Sequence, residues 1–318
     1  MKPNIKSYLV NAVLVLVVFG IATLLLELGI LNNFHRNLLM LVFIHIILAV
    51  SLNLSAGFLG QLILGHAAFM SVGAYASAIF SMHFGMSGTV GLLVALVIGG
   101  LAAAVAGIVI GVPALRLRGD YIAIITLGFG LIVQSIVLNM NITGGAQGLV
   151  GIPRLTTFGV AFFVMVFTVV VLVCLIRSRH GRAMIAIRED EIAAEASGIS
   201  TVYYKIFGFT VSAFFAGIAG GLFAHRIAFL EPQIFGFVYS IELLVIVVLG
   251  GMGSITGSIV SAVVLTLLPE MLRDFQEFRM LTYAILLVAM MIFRPKGLMG
   301  TYELSITKIV QKLTGKRG

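Results

Sequence analysis

The stretch that decides the fold is "NLLMLVFIHIILAVSLNLSAGFLGQLILGHAAFMSVGAYASA", residues 37–78. It opens a run, Asn37 to Leu115, that contains no Asp, Glu, Lys or Arg. An uncharged apolar stretch of about 18 residues already suffices to span the hydrocarbon of a bilayer as a helix. Strands of a membrane barrel would alternate apolar and polar residues, whereas here the apolar residues follow one another without alternation. The sequence therefore predicts an all-α, polytopic helical membrane protein. Composition agrees: the 318 residues are 60% hydrophobic and 10% charged, against about 25% charged in an ordinary soluble domain.

Working outward, apolar segments fall at 9–31, 38–56, 62–82, 90–112, 121–138, 158–176, 206–226, 238–251, 255–269 and 279–293. They predict about 8–10 transmembrane helices in a single integral domain covering 1–318. The first segment is longer than a signal peptide's apolar core and ends without a small-x-small cleavage pattern, so it reads as a retained anchor. The two segments within 238–269 are short for a crossing of roughly 20 residues. The sequence "GGMGSITG", residues 250–257, separates them. A broken or re-entrant helix is expected there, since irregular backbone is tolerated where protein covers it. Gly107-x-x-x-Gly111 and Gly253-x-x-x-Gly257 have the small-residue spacing of helix contacts in lipid.

The net charge of +8 suggests nucleic acid at first glance, but its distribution points to the membrane. With the N-terminus inside, Arg36, Arg154, Arg226, Arg273 and Arg279 fall outside and the other fifteen basic residues fall inside. That asymmetry obeys the positive-inside rule. It predicts cytoplasmic termini, a cytoplasmic loop at 177–205 and a basic tail at 294–318 facing anionic lipid. The single cysteine, Cys174, excludes an internal disulfide and a cysteine-based metal cluster.

The one compact charged segment is "GRAMIAIREDEIAAEASGI", residues 181–199. Its alanines, glutamates and arginine favour helix, and Gly198 suits a C-terminal stop. A helix of about 15 residues, about 22 Å long, is expected between Gly181 and Gly198. Ile185, Ile192, Ala196 and Ile199 recur at helical spacing as an apolar stripe. Either that stripe lies against the protein's own spans or it fits a groove in a partner; a solvated connector is the plainer alternative.

This segment, with "YKIFGFTVSAFFAGIAGGLFA" after it, resembles the coupling loop of ABC importer permeases of the branched-chain amino-acid type, the LivM-like subunits. "SLNLSAGFLGQLILGHAAFMSVGAYASA" (51–78), "LRLRGDYIAIITLGFG" (115–130), "TGGAQGLVGIP" after it, "IELLVIVVLGGMGSITGSIVSA" and "FRPKGL" are similar to the same family, in family order. The resemblance implies a bacterial inner-membrane subunit carrying a branched-chain amino acid. It also implies a second, related permease subunit, two cytoplasmic ATPase subunits and a periplasmic substrate-binding protein. It assigns ATPase coupling to Gly181, Arg182, Ile185, Arg188, Glu189, Asp190, Glu191, Ile192, Ala194, Glu195 and Gly198. Independently, the chain lacks G-x-x-x-x-G-K-[ST], so it has no P-loop for nucleotide phosphates.

Other candidates lie within the spans. Polar groups in membranes tend to face a bundle interior or a cavity, which makes Gln61, His66, Ser71 and Glu242 candidates for a translocation path. For His66 the competing reading is a neutral histidine satisfied by a neighbouring helix, and His45 reads as packed and hydrogen-bonded. "LRLRGDY", with Arg116, Arg118 and Asp120, either braces the charged segment or simply sets topology. Outer loops at 141–153, 227–237 and 270–279 either meet a binding protein or are plain connectors. No catalytic constellation, metal site or cofactor is expected: neither Gly-x-Ser-x-Gly nor His-Glu-x-x-His occurs, and lone histidines do not make an active site. The alternatives to an ATP-driven importer subunit are an autonomous secondary transporter, whose site could use backbone at broken helices, an intramembrane enzyme, and a permease for urea or another amino acid.

Overall fold

The computed structural model describes residues 16–17, 19–25, 32–114, 119, 121–272, 281, 284–285, 288, 292–293 and 297–300. Helix α1 (Asn33–Asn53) runs on into a π-helical turn, Leu54–Phe58. It is followed by α2 (His66–His83), α3 (Gly88–Ala114), α4 (Tyr121–Asn139), α5 (Phe158–Arg177), α6 (Arg179–Glu189), α7 (Glu191–Ala196), α8 (Thr201–Ile227), α9 (Phe237–Gly250) and α10 (Ile255–Met271). Five of these, α1 with its π turn, α3, α4, α5 and α8, are long and apolar enough to cross a membrane. The expected segments 9–31 and 279–293 and the expected outer loop at 270–279 lie largely outside the described residues.

Helices α2, α3 and α8 form the most closely packed unit, and glycine makes that packing possible. A Cβ on Gly73 of α2 would stand 2.2 Å from the Gly217 Cα of α8. A Cβ on Gly217 would meet the Ala103 Cβ at 2.6 Å and the Gly99 carbonyl oxygen at 2.7 Å, both on α3. Hydrophobicity cannot drive helix association where the solvent is itself apolar, so close backbone approach and dispersion take its place. Of the two spacings singled out in the sequence, Gly107 behaves as expected: its Cβ would meet the Ala213 Cβ at 2.8 Å. Gly253 does not, because it sits in a turn with φ +88° and not on a helix.

The short helices α9 and α10 are joined through Gly251–Ser254, which is the break that "GGMGSITG" predicts. A Cβ on Gly250 would come within 2.5 Å of the Gly257 carbonyl oxygen, and one on Gly257 within 2.1 Å of the Gly250 carbonyl. The turn therefore closes tightly enough to exclude any side chain at either position. At the opposite end of the bundle, where α4 and α8 terminate, Leu149 pairs with Leu230 and Val150 with Phe229 in a two-residue antiparallel ladder. Two of the loops expected on the outer surface are thereby tied to each other.

Candidate functional site

The charged segment folds as two helices and not as one. Asp190, with φ −158° and ψ 109°, interrupts the chain and accepts hydrogen bonds from the Ile192 and Ala193 amides at its side chain. A carboxylate at a helix start satisfies orphan amides and favours the positive end of the helix dipole. Ser178 caps α6 in the same way through His180 and Gly181. Gly198, with φ +80°, ends α7, and the Ile199 amide reaches back to the Ala194 carbonyl at 3.0 Å, as a C-terminal glycine stop should.

The predicted stripe is also redrawn. The side turned into the protein carries Ala183, Met184, Ile187 and Ala194, all buried, with Ile185 partly buried against the same core. Ile192 is 71% exposed, and Ala193 and Ala196 are exposed with it. The break at Asp190 changes the helical phase between α6 and α7, so one stripe cannot continue across both. Ile185 and Ile192 consequently face different surroundings, and Ala194 packs inward.

Two contacts fasten α7 to the start of α8. The Thr201 hydroxyl donates to a Glu195 carboxylate oxygen at 2.7 Å, and Lys205 Nζ pairs with Glu191 at 2.7 Å. The Lys205 side chain is only 3% exposed. A buried ammonium is costly unless paired and hydrogen-bonded, so Glu191 is what makes that position tenable.

Beneath this segment, two broken helices meet. Asn53, fully buried on α1, accepts the Gly253 amide at 2.8 Å. Its amide nitrogen donates to the Ser254 carbonyl at 2.8 Å and to the Ser258 hydroxyl at 2.7 Å. The π turn and the α9–α10 turn thus meet in one joint, where the Asn53 side chain answers main-chain groups of the α9–α10 turn, as irregular backbone within a bundle requires. Gly57 permits the approach: its Cβ would stand 2.3 Å from the Gly253 amide nitrogen. Arg188 reaches the joint from α6. Its Nη1 donates to the Gly57 carbonyl at 2.8 Å, and the same guanidinium pairs with Glu189. A cation at a helix C-terminus is favoured by the dipole. The arginine lies so close that a Cβ on Gly60 or Gly253 would come within 2.7 and 2.9 Å of it, respectively.

A pocket of about 290 Å³ opens beside this joint, lined by residues that include Gln61, Ile187, Arg188, Asp190, Glu191 and Lys205. Gln61, proposed from sequence for a path, therefore sits among the residues of the charged segment. Its side-chain carbonyl oxygen is buried without a partner. Gly119 lines the same pocket, while Arg116, Arg118 and Asp120 lie outside the described residues. Arg182 is exposed and Gly181 buried; a Cβ on Gly181 would strike the Ile176 carbonyl at 2.1 Å, so the turn from α5 into α6 needs glycine there.

His66 and Ser71 lie deeper, both buried on α2. The Ser51 hydroxyl gives its proton to the Leu48 carbonyl, so it accepts from His66 Nε2–H at 3.1 Å. That leaves His66 Nδ1 as a buried acceptor with no partner. Glu242 is exposed on α9. Ser240, two residues earlier, faces α2 and accepts from the Ala67 amide. A two-residue step rotates roughly 200° around a helix, so Glu242 points away from His66. His45 is satisfied on both nitrogens: it donates to Thr266 at 2.7 Å, whose own proton goes to the Ala262 carbonyl, and accepts from Tyr239 at 3.1 Å. Among the described residues no group of acidic, histidine and cysteine side chains could hold a metal ion.

Sequence reasoning did not single out Asn53, Gly57 or Gly60 as functional residues. Asn53 carried a faint signal, as one of three amide side chains, with Asn37 and Gln61, in the charge-free run 37–115.

These features define a multi-pass α-helical membrane protein whose charged segment is mounted on the breaks in its spans. Residues 35–294 match the family described as branched-chain amino acid transport system, permease component, and the chain belongs to that family. It is 42% identical over 294 residues to the high-affinity branched-chain amino acid transport system permease protein LivM of Escherichia coli K12, with 81% of this chain and 68% of that protein covered. The LivM protein of Salmonella typhimurium is 42% identical over 291 residues, with 80% and 68% covered. The permease protein LivH of Escherichia coli K12 is 30% identical over 128 residues, 40% of this chain and 41% of that protein. No solved structure matches the chain.

Proposed function

We propose that this chain is one of two related permease subunits of an ATP-driven importer for a branched-chain amino acid, and that α6–α7 is the handle through which a cytoplasmic ATPase moves it. The observation that carries the reading is the bond from Arg188 to Gly57. One side chain of the charged segment grips a joint at which α1, α9 and α10 are all interrupted, so displacement of α6 is transmitted to three membrane helices at once. A packed element with two discrete positions is what coupling between distant sites requires. The exposed Ile192, Ala193 and Ala196 are small or apolar on an otherwise polar segment, which suits insertion of α7 into a groove.

In this reading both termini and α6–α7 face the cytoplasm, and the paired loops at the other end face a periplasmic binding protein. The protein is a non-catalytic subunit of a bacterial inner membrane, with ATP hydrolysis on separate chains. Support for a second permease comes from the likeness to both LivM and LivH proteins, and support for the solute from what those relatives are named for.

The test is uptake of leucine by proteoliposomes containing the whole complex with its binding protein. Ile192→Asp combined with Ala196→Trp should leave insertion intact, release the ATPase subunits in mild detergent and lower ATP-dependent uptake at least about tenfold, the loss of roughly 1.4 kcal/mol of coupling. Undiminished uptake by that variant, or uptake by this chain alone driven by an ion gradient, would overturn the proposal.

A further inference from the structure

The five arginines that fall on the sparsely basic side of the topology are the exceptions to the charge rule, and three of them converge. Arg36 at the start of α1, Arg154 in the loop before α5 and Arg226 near the end of α8 line one pocket of about 330 Å³. Among the described residues no acidic side chain lines it. None of the three guanidinium groups forms an ion pair among the described residues, and Arg226 Nε is buried with no hydrogen-bond partner. Asn33 and Asn37, one helical turn apart on α1, add amide groups to the same wall.

The convergence is enforced by the fold. His225 is fully buried; it donates from Nδ1 to the Pro153 carbonyl at 2.9 Å and accepts at Nε2 from Ser77. The Thr156 hydroxyl donates to the Leu222 carbonyl at 3.0 Å. These bonds pin the 153–156 loop onto α8 and so hold Arg154 beside Arg226. Arg226 is half-buried, and Arg36 and Arg154 are exposed at the same pocket; three like charges held together repel, and an anion from outside relieves that repulsion.

We propose that this pocket binds the phosphate of an anionic phospholipid headgroup. Arginine forks match phosphate oxygens bidentately, and basic pockets between membrane helices are suited to lipid headgroups. Arg154 and Thr156 immediately precede α5, the least buried of the long helices, whose Phe163, Phe167 and Val170 are exposed and offer acyl chains an apolar surface. Met40, the first buried residue of α1, forms the apolar floor of the pocket. A zwitterionic amino acid fits less well, because the described lining offers its ammonium group no carboxylate. Which leaflet supplies the lipid rests on the orientation proposed above; the binding itself does not.

The purified, delipidated protein should be titrated with dioctanoyl phosphatidylglycerol, dioctanoyl phosphatidylcholine and inorganic phosphate in parallel, read by native mass spectrometry and by the thermal unfolding midpoint. Phosphatidylglycerol should bind saturably and raise the midpoint, with phosphatidylcholine and inorganic phosphate each weaker by at least about tenfold. Arg36→Gln with Arg154→Gln should weaken phosphatidylglycerol by at least about tenfold, two charge-assisted bonds being lost. Both side chains are exposed, so that variant folds. Arg154→Lys, which keeps the charge but loses the planar fork, should bind phosphatidylglycerol more weakly than the parent and more tightly than the double variant. Unchanged phosphatidylglycerol affinity in the double variant, or equal affinity for phosphatidylcholine, overturns the site. Inorganic phosphate binding as tightly as phosphatidylglycerol overturns the lipid assignment and makes the pocket a site for free anions. None of these readouts depends on amino-acid uptake, so the permease reading can fail without this one failing.

Discussion

Arg188 and Gly57, separated by 131 positions in the chain, are joined by a 2.8 Å hydrogen bond from a guanidinium nitrogen to a main-chain carbonyl. The carbonyl belongs to the π turn that ends α1 and the arginine to α6, so the bond connects the charged segment to the apolar bundle where its first long helix is interrupted. A π turn leaves main-chain hydrogen bonds irregular and often marks a functional position.

Replacing Arg188 by Ala should remove a charge-assisted bond and leave the Gly57 carbonyl without its partner, lowering stability by about 1.5–3 kcal/mol. On the coupling role proposed for α6–α7, uptake should fall further than stability alone explains. Arg188→Lys should restore part of the stability and little of the transport, since an ammonium cannot hold Gly57 and Glu189 with the same planar fork. Thermal unfolding in detergent alongside leucine uptake separates the two effects; equal recovery of both by lysine would show that charge alone matters.

The Lys205–Glu191 pair should respond asymmetrically. Glu191→Gln leaves a nearly inaccessible ammonium without its carboxylate, at a cost of roughly 1–3 kcal/mol given that Glu191 retains some exposure. Lys205→Met with Glu191→Met should be closer to the parent than Glu191→Gln is, because a paired apolar replacement leaves no buried charge. A double-mutant cycle on unfolding midpoints measures the coupling.

Glycine substitutions should divide by location. Gly217→Ala forces a methyl group to within 2.7 Å of a backbone oxygen on α3, and overpacking of this kind costs about 1–3 kcal/mol. Gly128 has nothing within 4 Å of its Cβ position, so Gly128→Ala should be neutral or stabilising by up to about 1 kcal/mol through helix propensity. Comparable losses at both sites in thermal denaturation would contradict the packing of α2, α3 and α8 described above.

Sidedness can be read from one cysteine. Cys174 is replaced by Ser and Ile192→Cys introduced; a membrane-impermeant maleimide should then label inside-out vesicles and leave right-side-out vesicles unmodified. Added ATPase subunits should protect the thiol if α7 is their docking element. Labelling from the periplasmic side would reverse the orientation.

Several features were legible before the tertiary structure. The charge-free run from Asn37 to Leu115 marked membrane helices, "GGMGSITG" marked a break, Gly198 marked a helix stop, and 181–199 stood out as the segment unlike the rest. The single long helix expected there was wrong because Asp190 is a better cap for a new helix than an interior residue. Its carboxylate competes for amides locally, and neither composition nor periodicity over the whole window registers that choice.

What the sequence alone determined is the solvent in which each segment lives, because transfer of apolar and charged groups between water and lipid depends on local composition. What only the tertiary structure decided is which faces meet. In lipid nearly every face of a span is apolar, so no hydrophobic contrast tells one face from another. The choice falls to shape and to a few polar bonds: Gly73 against Gly217, Asn53 across to Gly253, Arg188 onto Gly57. The partners in each pair lie more than a hundred positions apart, and only the folded chain brings them within reach.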